Sequence, residues 1–308
     1  MIDVHCHLNF HSYEKDVDEV IQKAHADGVT KIINVGTKLD SSQKAIELAE
    51  KYENLYAIVG VHPHHADKPV LSSKYQVLSK RGVVGEEGIP LTRTETKSKE
   101  HLWEGNGRQD PDGVRAWIKE LEKLARHPKV VAIGEIGLDY YSYKSNGIVD
   151  PKLQKETFEA QIQMAHRLKL PLQIHNRHGG KDIIEILSHH KNLLQSIPGM
   201  FHCFAGDLDT LKAALKMGFY IGFDGNITYS GLAPGETVSL PELAMNTPLE
   251  RIVTETDSPF LTPVPYRGSR NIPSHVILVG EFLAKIKGIS YQEIDTITTE
   301  NTKKLFGI

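Results

Sequence analysis

The sequence contains little cysteine and no long hydrophobic run. Two cysteines, Cys6 and Cys203, among 308 residues are too few for a framework of disulfides and fit a reducing compartment. No apolar run approaches the roughly 18 residues that a membrane-spanning helix requires, and no basic segment followed by an apolar stretch opens the chain. We therefore expect a cytoplasmic protein that does not span a membrane.

The chain also lacks a strong charge of either sign. It has 36 Lys and Arg residues against 39 Asp and Glu residues, which gives a formal net charge of −3. This balance argues against a broad, nonspecific surface for nucleic acid, but it leaves open a phosphate substrate held at a small site. Hydrophobic residues make up 40% and charged residues 24% of the chain, values typical of globular rather than disordered or fibrous proteins.

Short β-like segments alternate with helical segments along the chain. The eight predicted strands cover residues 2–7, 31–35, 56–61, 130–135, 172–175, 200–202, 219–222 and 251–255. Helical periodicity between them covers residues 16–26, 41–52, 113–126, 154–168, 181–188 and 208–217. Such alternation indicates parallel strands joined by crossover connections, and eight units predict an α/β fold, a single (β/α)8 TIM barrel over residues 1–308. The alternative, an open doubly wound sheet, requires a Gly-rich phosphate turn where this chain has histidines.

One polar stretch that contains several glycines interrupts this alternation, from about residue 67 to 112. It follows the third predicted strand and would be a long β3–α3 insertion on the face of the barrel that carries the catalytic loops. Connections of this length are usually functional or disordered. The sequence leaves open whether this one contacts the substrate or is a solvated excursion.

Histidines and acids stand at the C-terminal ends of the predicted strands. His5 and His7 are one residue apart, so both imidazoles point to the same side of the first strand. Each remaining candidate ends a different strand: Glu135, His175, His202 and Asp257. The C-terminal strand ends of a barrel meet at one face, and buried imidazoles and carboxylates are costly to desolvate without a partner. We therefore predict that these six residues are metal ligands.

Six motifs along the chain carry a resemblance to a known family. They are DVHCHL at 3–8, GVHPH at 60–64, AIGEIGLDY at 132–140, IHNR at 174–177, FHCFAG at 201–206 and TETDSP at 254–259. With them the chain resembles the TatD family of metal-dependent deoxyribonucleases, which are amidohydrolase-like barrels. The resemblance runs from end to end outside the insertion and includes a later segment, RGSRNIP at 267–273. Two places depart from the family pattern: Ile272 replaces a usual acid, and His178 and Gly179 replace a common Asp-Ala.

The resemblance implies a hydrolase that depends on two divalent cations. The first cation would be held by His5, His7, Glu135 and Asp257, and the second by Glu135, His175 and His202. Glu135 would bridge the two cations, and a hydroxide between them would attack the substrate. Asp257 is expected to move the proton of that hydroxide. Mixed imidazole and carboxylate ligands suit Zn, Mn, Mg or Co, and their spacing does not choose among these metals.

Other residues are expected to surround this centre. His62 follows the third predicted strand and would approach the leaving group or a phosphate. Three arginines could bind phosphate oxygens through their guanidinium groups: Arg177, Arg267 and Arg270.

Three neighbouring residues are interpreted as structural. Asp139 is expected to support the metal ligands through hydrogen bonds. Tyr140 and Tyr141 are interpreted as packing residues rather than as residues that stack on a base.

The function expected from these features is cleavage of phosphodiester bonds in DNA. Exonucleolytic action on single strands is favoured, because a pocket at the mouth of a barrel admits a chain end more readily than a duplex. The alternative is an amidohydrolase or esterase, such as a D-aminoacyl-tRNA deacylase or a small-molecule C–N hydrolase, because the same activated water attacks a carbonyl carbon. A metal-binding interaction protein without turnover is disfavoured by the complete ligand set. DNA is the predicted partner, and the sequence gives no evidence of an obligate protein partner.

Overall fold

Eight parallel strands form the centre of the molecule. The computed structural model describes residues 1–67, 111–144 and 147–308. Its strands are β1 (Ile2–Cys6), β2 (Lys31–Val35), β3 (Leu55–Val59), β4 (Val130–Asp139), β5 (Leu172–Arg177), β6 (Gly199–Phe201), β7 (Tyr220–Phe223) and β8 (Ile252–Thr254). They pair in sequence order from β1 to β8, and a parallel bridge between Cys6 and Ser258 connects the two ends of the sheet. The structure thus confirms the predicted TIM barrel, not the open doubly wound sheet.

Helices alternate with these strands. They are α1 (Val17–Ala26), α2 (Leu39–Lys51), α3 (Pro111–Ala125), α4 (Pro151–Leu168), α5 (Gly180–His189), α6 (Leu208–Lys216), α7 (Leu240–Asn246), α8 (Val276–Lys287) and α9 (Tyr291–Phe306). The local sequence explains where several of these helices begin or end. Asp150 and Asp207 accept hydrogen bonds from backbone N–H groups in the first turns of α4 and α6, and Gly288 ends α8 with a φ of +67°. These caps satisfy backbone groups that the helix itself cannot pair.

Both faces of the sheet are covered by apolar side chains. On β2, Ile32 belongs to one buried cluster and its neighbour Ile33 to the other, as expected when successive side chains of a strand point to opposite faces. A strand buried on both faces has a continuous hydrophobic sequence. Polar residues within such strands therefore stand out.

The predicted insertion at about residues 67–112 lies almost wholly outside the described residues, which omit 68–110. Its expected role at the catalytic face therefore stays a prediction. In the described part of the chain, no helix combines the length and apolar character needed to cross a membrane.

Candidate active site

The six predicted ligands lie within strands or no more than three residues after them, at one end of the barrel. Two of them coincide with irregular strand pairing. The register of β1 against β2 shifts between Asp3 and Cys6, around His5, and that of β4 against β5 shifts between Ile133 and Ile136, around Glu135. Register irregularities of this kind re-aim side chains next to active sites. They help to bring side chains of distant strands into one cluster.

Four side-chain atoms form the first donor group: His5 Nε2, His7 Nε2, Glu135 Oε2 and Asp257 Oδ1. The two Nε2 atoms are 3.1 Å apart. Asp257 Oδ1 lies 3.5 Å from the His5 nitrogen and 3.4 Å from the His7 nitrogen, and Glu135 Oε2 lies 3.7 and 3.9 Å from the same two atoms. Ligands about 2.1 Å from a tetrahedral cation are about 3.4 Å from one another. The distances between the two imidazole nitrogens, and from them to each carboxylate oxygen, are therefore close to the spacing that a divalent cation requires.

The other carboxylate oxygen of Glu135 belongs to the second donor group, which also contains His175 Nδ1 and His202 Nε2. Oε1 of Glu135 lies 2.7 Å from His175 Nδ1 and 3.0 Å from His202 Nε2. Glu135 thus presents one oxygen to each group, as a carboxylate between two cations does. Imidazole nitrogens and carboxylate oxygens without thiolate are donors that suit several divalent metals.

Charges inside the site shift several pKa values. Burial alone would raise the pKa of Glu135, but the neighbouring imidazoles, foremost His62 and His202, hold it well below its usual range. Burial lowers the pKa of His175, but hydrogen bonds to Asp139 and Glu135 outweigh it and raise that pKa to about 9. Protons and cations would therefore compete for the same buried nitrogens, which makes metal affinity depend on pH.

Asp139 supports the second donor group by contacting His175 on the side of the ring that faces away from Glu135. Its Oδ2 accepts a hydrogen bond from His175 Nε2 at 3.1 Å and one from the Tyr143 hydroxyl at 3.1 Å, and His64 Nε2 lies 3.0 Å away. A carboxylate on the far nitrogen of a ligating histidine fixes the orientation of the ring. The contact leaves His175 Nδ1 directed at Glu135, in agreement with the supporting role expected for Asp139.

His62 approaches the site from the third strand with a defined tautomer. Its Nδ1 accepts a hydrogen bond from the backbone N–H of His64 at 3.1 Å, so a neutral ring carries its proton on Nε2. That Nε2 lies 3.4 Å from Glu135 Oε1. Burial lowers the pKa of His62 to about 4, so the ring is a neutral hydrogen-bond donor at pH 7.

All three predicted arginines lie over aromatic rings, and two of them have no ion-pair partner among the described residues. Arg177 Nη1 donates to the Tyr143 hydroxyl at 2.7 Å, and its guanidinium carbon is 4.1 Å from the centre of the Tyr141 ring. The guanidinium carbon of Arg267 is 4.0 Å from the centre of the Tyr229 ring. Within the described ranges, neither guanidinium forms an ion pair with a carboxylate.

Arg270 also lies over a ring, with its guanidinium carbon 4.7 Å from the centre of the Tyr13 ring, but unlike the other two it forms an ion pair. Its two terminal nitrogens donate to the two carboxylate oxygens of Asp16, at 3.0 and 2.5 Å. The edge of the guanidinium that would bind a phosphate through both terminal nitrogens is therefore already occupied by Asp16. A phosphate role for Arg270 stays a prediction and would require this ion pair to open.

Sequence reasoning did not single out two buried acids beside the site, Asp224 and Glu255. Glu255 accepts a hydrogen bond from the backbone N–H of Cys203, and its Oε1 lies 3.7 Å from His202 Nδ1. Oδ1 of Asp224 accepts from the backbone N–H of Asn226 at 2.9 Å. Each acid directly follows the last residue of a barrel strand, so the positional rule that identified the ligands could also have found them.

We expect Asp224→Asn to stabilise the protein more at pH 8 than at pH 5. Burial, with the charges of Asp257 and Glu255, raises the pKa of Asp224 to about 8, whereas an unfolded aspartate titrates at about 3.9. Between these values the folded protein binds a proton that the unfolded chain does not, so stability falls as pH rises. The asparagine side chain does not titrate, so the variant does not lose this stability as pH rises.

Thermal unfolding at the two pH values tests the Asp224 prediction. The gain of the variant in Tm over wild type should grow from pH 5 to pH 8, whereas Asp209→Asn, at a side chain that is 95% exposed, should show no such growth. An equal gain at both pH values would contradict a raised pKa.

A TIM barrel with clustered imidazole and carboxylate donors at its C-terminal strand ends defines the class, that of barrel hydrolases dependent on divalent metals. The family model described as TatD related DNase matches residues 2–307. The chain therefore belongs to the TatD family of metal-dependent hydrolases, which confirms the resemblance seen in its motifs.

Individual relatives match over the whole chain. The uncharacterized metal-dependent hydrolase YabD of Bacillus subtilis is 36% identical over 309 residues, which covers 100% of this chain and 99% of the relative. The 3'-5' ssDNA/RNA exonuclease TatD of Citrobacter rodentium is 30% identical over 315 residues, 100% of this chain and 98% of the relative. Among solved structures, the TatD homologue YJJV of Escherichia coli matches with a TM-score of 0.77 and 25% identity, over 100% of this chain and 98% of that one.

Proposed function

We propose that this protein is a deoxyribonuclease that depends on two divalent cations and removes nucleotides from an end of single-stranded DNA. The observation that carries the proposal is the placement of Glu135, with Oε2 in the first donor group and Oε1 in the second. The name of the Citrobacter relative, a 3'-5' ssDNA/RNA exonuclease, supports the choice of nucleic acid as substrate.

The two donor groups would hold one cation each. His5, His7, Glu135 and Asp257 would bind the first, and Glu135, His175 and His202 the second, with Zn, Mn, Mg or Co as suitable metals. Bound there, the cations would supply a water acidic enough to act as a nucleophile near neutral pH and positive charge at the scissile phosphate.

Asp257 would accept the proton of the attacking water. Its Oδ1 lies within the first donor group, and its side chain is 15% exposed, compared with 5% for Glu135. Asp257 can therefore reach both the centre of the site and the solvent, which a group that passes protons onward requires. Glu135 is enclosed by imidazoles and suits a fixed bridging role better.

His62 and Arg177 would orient the phosphate. The neutral His62 ring offers its Nε2–H toward the site centre, so it can donate to a phosphate or leaving-group oxygen. Arg177 lies on the same side of the mouth, connected to Asp139 through the Tyr143 hydroxyl. Together they supply donors to an anionic group.

A substrate comparison tests this proposal. We expect metal-loaded protein to release mononucleotides from end-labelled single-stranded DNA faster than from a duplex of the same sequence. A chelator should abolish the activity, added divalent metal should restore it, and elemental analysis should find two metals per chain. Cleavage of circular single-stranded DNA, which has no end, would contradict exonucleolytic action. Hydrolysis confined to ester or amide substrates, aminoacyl-tRNA included, would favour the alternative hydrolase function.

A further inference from the structure

Exposed hydrophobic side chains concentrate in connections at one end of the barrel. In the described residues, the large hydrophobic side chains most exposed to solvent are Tyr141, Ile148, Leu232, Met245, Val264 and Tyr266. All except Met245, which lies in α7, belong to connections that follow β4, β7 or β8. These connections form the catalytic face of a barrel. Apolar surface left exposed in this way usually marks a place where something binds.

A first aromatic platform lies beside the second donor group and consists of Tyr141, Tyr143 and Arg177. The Tyr141 side chain is 37% exposed, with the Arg177 guanidinium 4.1 Å from its ring centre and the Tyr143 ring centre 4.8 Å away. Arg177 donates to the Tyr143 hydroxyl, which donates to Asp139, the residue that holds His175. Hydrogen bonds thus connect this platform to the metal ligands. Tyr140 donates to Asp182 at 2.8 Å and packs as expected, whereas Tyr141, which was also expected to pack, is exposed.

A second aromatic platform follows β7 and β8 and contains Tyr266, His275, Tyr229 and Arg267. Tyr266 is 53% exposed, and the His275 ring stacks on it with centres 5.1 Å apart and an angle of 7°. Arg267 lies over Tyr229 at 4.0 Å. In a barrel with strand order β1 to β8, three strands separate β4 from β8 in either direction. The two platforms therefore belong to connections that arise on opposite sides of the barrel.

The positively charged guanidinium groups beside the rings indicate which kind of ligand would bind there. Each platform contains an exposed ring and a guanidinium that has no carboxylate partner in the part of the chain the structure describes, unlike Arg270, which pairs with Asp16. Since the chain as a whole carries a net charge of −3, these cations are a local feature of the mouth. Rings that receive bases and cations that receive phosphates are the combination by which proteins hold single-stranded nucleic acid.

We propose that a single strand of DNA crosses the mouth of the barrel, with one base on Tyr141, another on Tyr266, and the scissile phosphate between them at the donor groups. The inference rests on the proposed nuclease function and deepens it, because it assigns substrate contacts to both sides of the bond that is cleaved. A duplex cannot place its paired bases on such rings. A short diester without bases reaches the donor groups but neither platform.

Binding of a fluorescent oligothymidylate tests the platforms directly. Fluorescence anisotropy is measured with metal-loaded protein in an Asp257→Asn background, which keeps the oligonucleotide intact. Tyr141→Ala and Tyr266→Ala should each raise Kd about tenfold, within the range for loss of one base stack. Tyr141→Phe and Tyr266→Phe retain a ring, and Met245→Ala removes an exposed side chain far from the mouth; all three should leave Kd unchanged. An oligonucleotide of the same length without bases should bind the alanine variants and the parent protein equally.

Rates of hydrolysis distinguish an error in the assignment of the platforms from an error in the proposed nuclease function. With an otherwise wild-type chain, the alanine variants should hydrolyse bis(p-nitrophenyl) phosphate at the wild-type rate but show a higher KM for oligothymidylate. Loss of activity on the small diester would mean that the rings are structural and would overturn the inference. Unchanged Kd and KM for the oligonucleotide would overturn it while the nuclease function stands. Failure of the wild-type protein to cleave any oligonucleotide would overturn the proposed function, and this inference with it.

Discussion

Glu135→Ala is expected to abolish hydrolysis and to weaken the binding of both cations. Its two oxygens belong to different donor groups, so one substitution removes a ligand from each. It also removes the negative charge between two cations, which would then face each other across a short gap. Loss of an outer-shell partner of a metal ligand costs roughly 10–100-fold in affinity, and loss of this direct, shared ligand should exceed that range.

Metal titration followed by calorimetry measures the effect at Glu135, with activity read on the same samples. Glu47→Ala, at an exposed position on α2, is the matched control and should bind two cations and turn over normally. A Glu135→Ala protein that retained two tightly bound cations and near-normal turnover would contradict the bridging assignment.

Asp257→Asn should preserve the fold and at least the second cation while lowering turnover by roughly 10²–10⁴, the range for a lost general acid–base group. Asp257 has a φ of +50°, and asparagine is among the residues that adopt this left-handed conformation most readily. Its backbone N–H donates to the carbonyl of His5 at 2.9 Å, a bond that the substitution retains. The loss should therefore be chemical rather than structural.

Steady-state kinetics at saturating metal check this result. Asp224→Asn provides the control, because it makes the same acid-to-amide change at a buried position near the site that belongs to neither donor group; its turnover should match wild type. If the Asp257 variant turned over at the wild-type rate with both cations bound, another group would have to move the proton.

Strand positions and the clustering of the candidate ligands were predictable from the sequence because both follow from local pattern. Polar residues such as His5 and Glu135 interrupt apolar runs, and the barrel rule then places all such interruptions at one face. The first six helices lie within three residues of their predicted limits for the same reason, since each has one apolar side. Family membership followed from the motifs around these positions.

Other features depend on tertiary contacts that no local pattern contains. Helix α8 has the sequence VILVGEFLAKIK, too apolar to show a polar face, and α7 is only seven residues long. Arg270 has the same flanking sequence whether its guanidinium meets a phosphate or Asp16, which is 254 residues away. The exposure of Tyr141, unlike that of Tyr140, depends on how the connection after β4 lies across the mouth.

The seam between β8 and β1 affects the order in which the site can assemble during synthesis. The donors of the second group come from the middle of the chain, between residues 135 and 202, whereas the first group needs both His5 and Asp257. At this seam the His7 N–H donates to the Ser258 carbonyl at 2.7 Å, and a cation in the first group would add a cross-link that closes a loop of most of the chain. A nascent chain therefore contains every donor of the second group before Asp257 is synthesised, and the first group is complete only when the end of β8 meets β1.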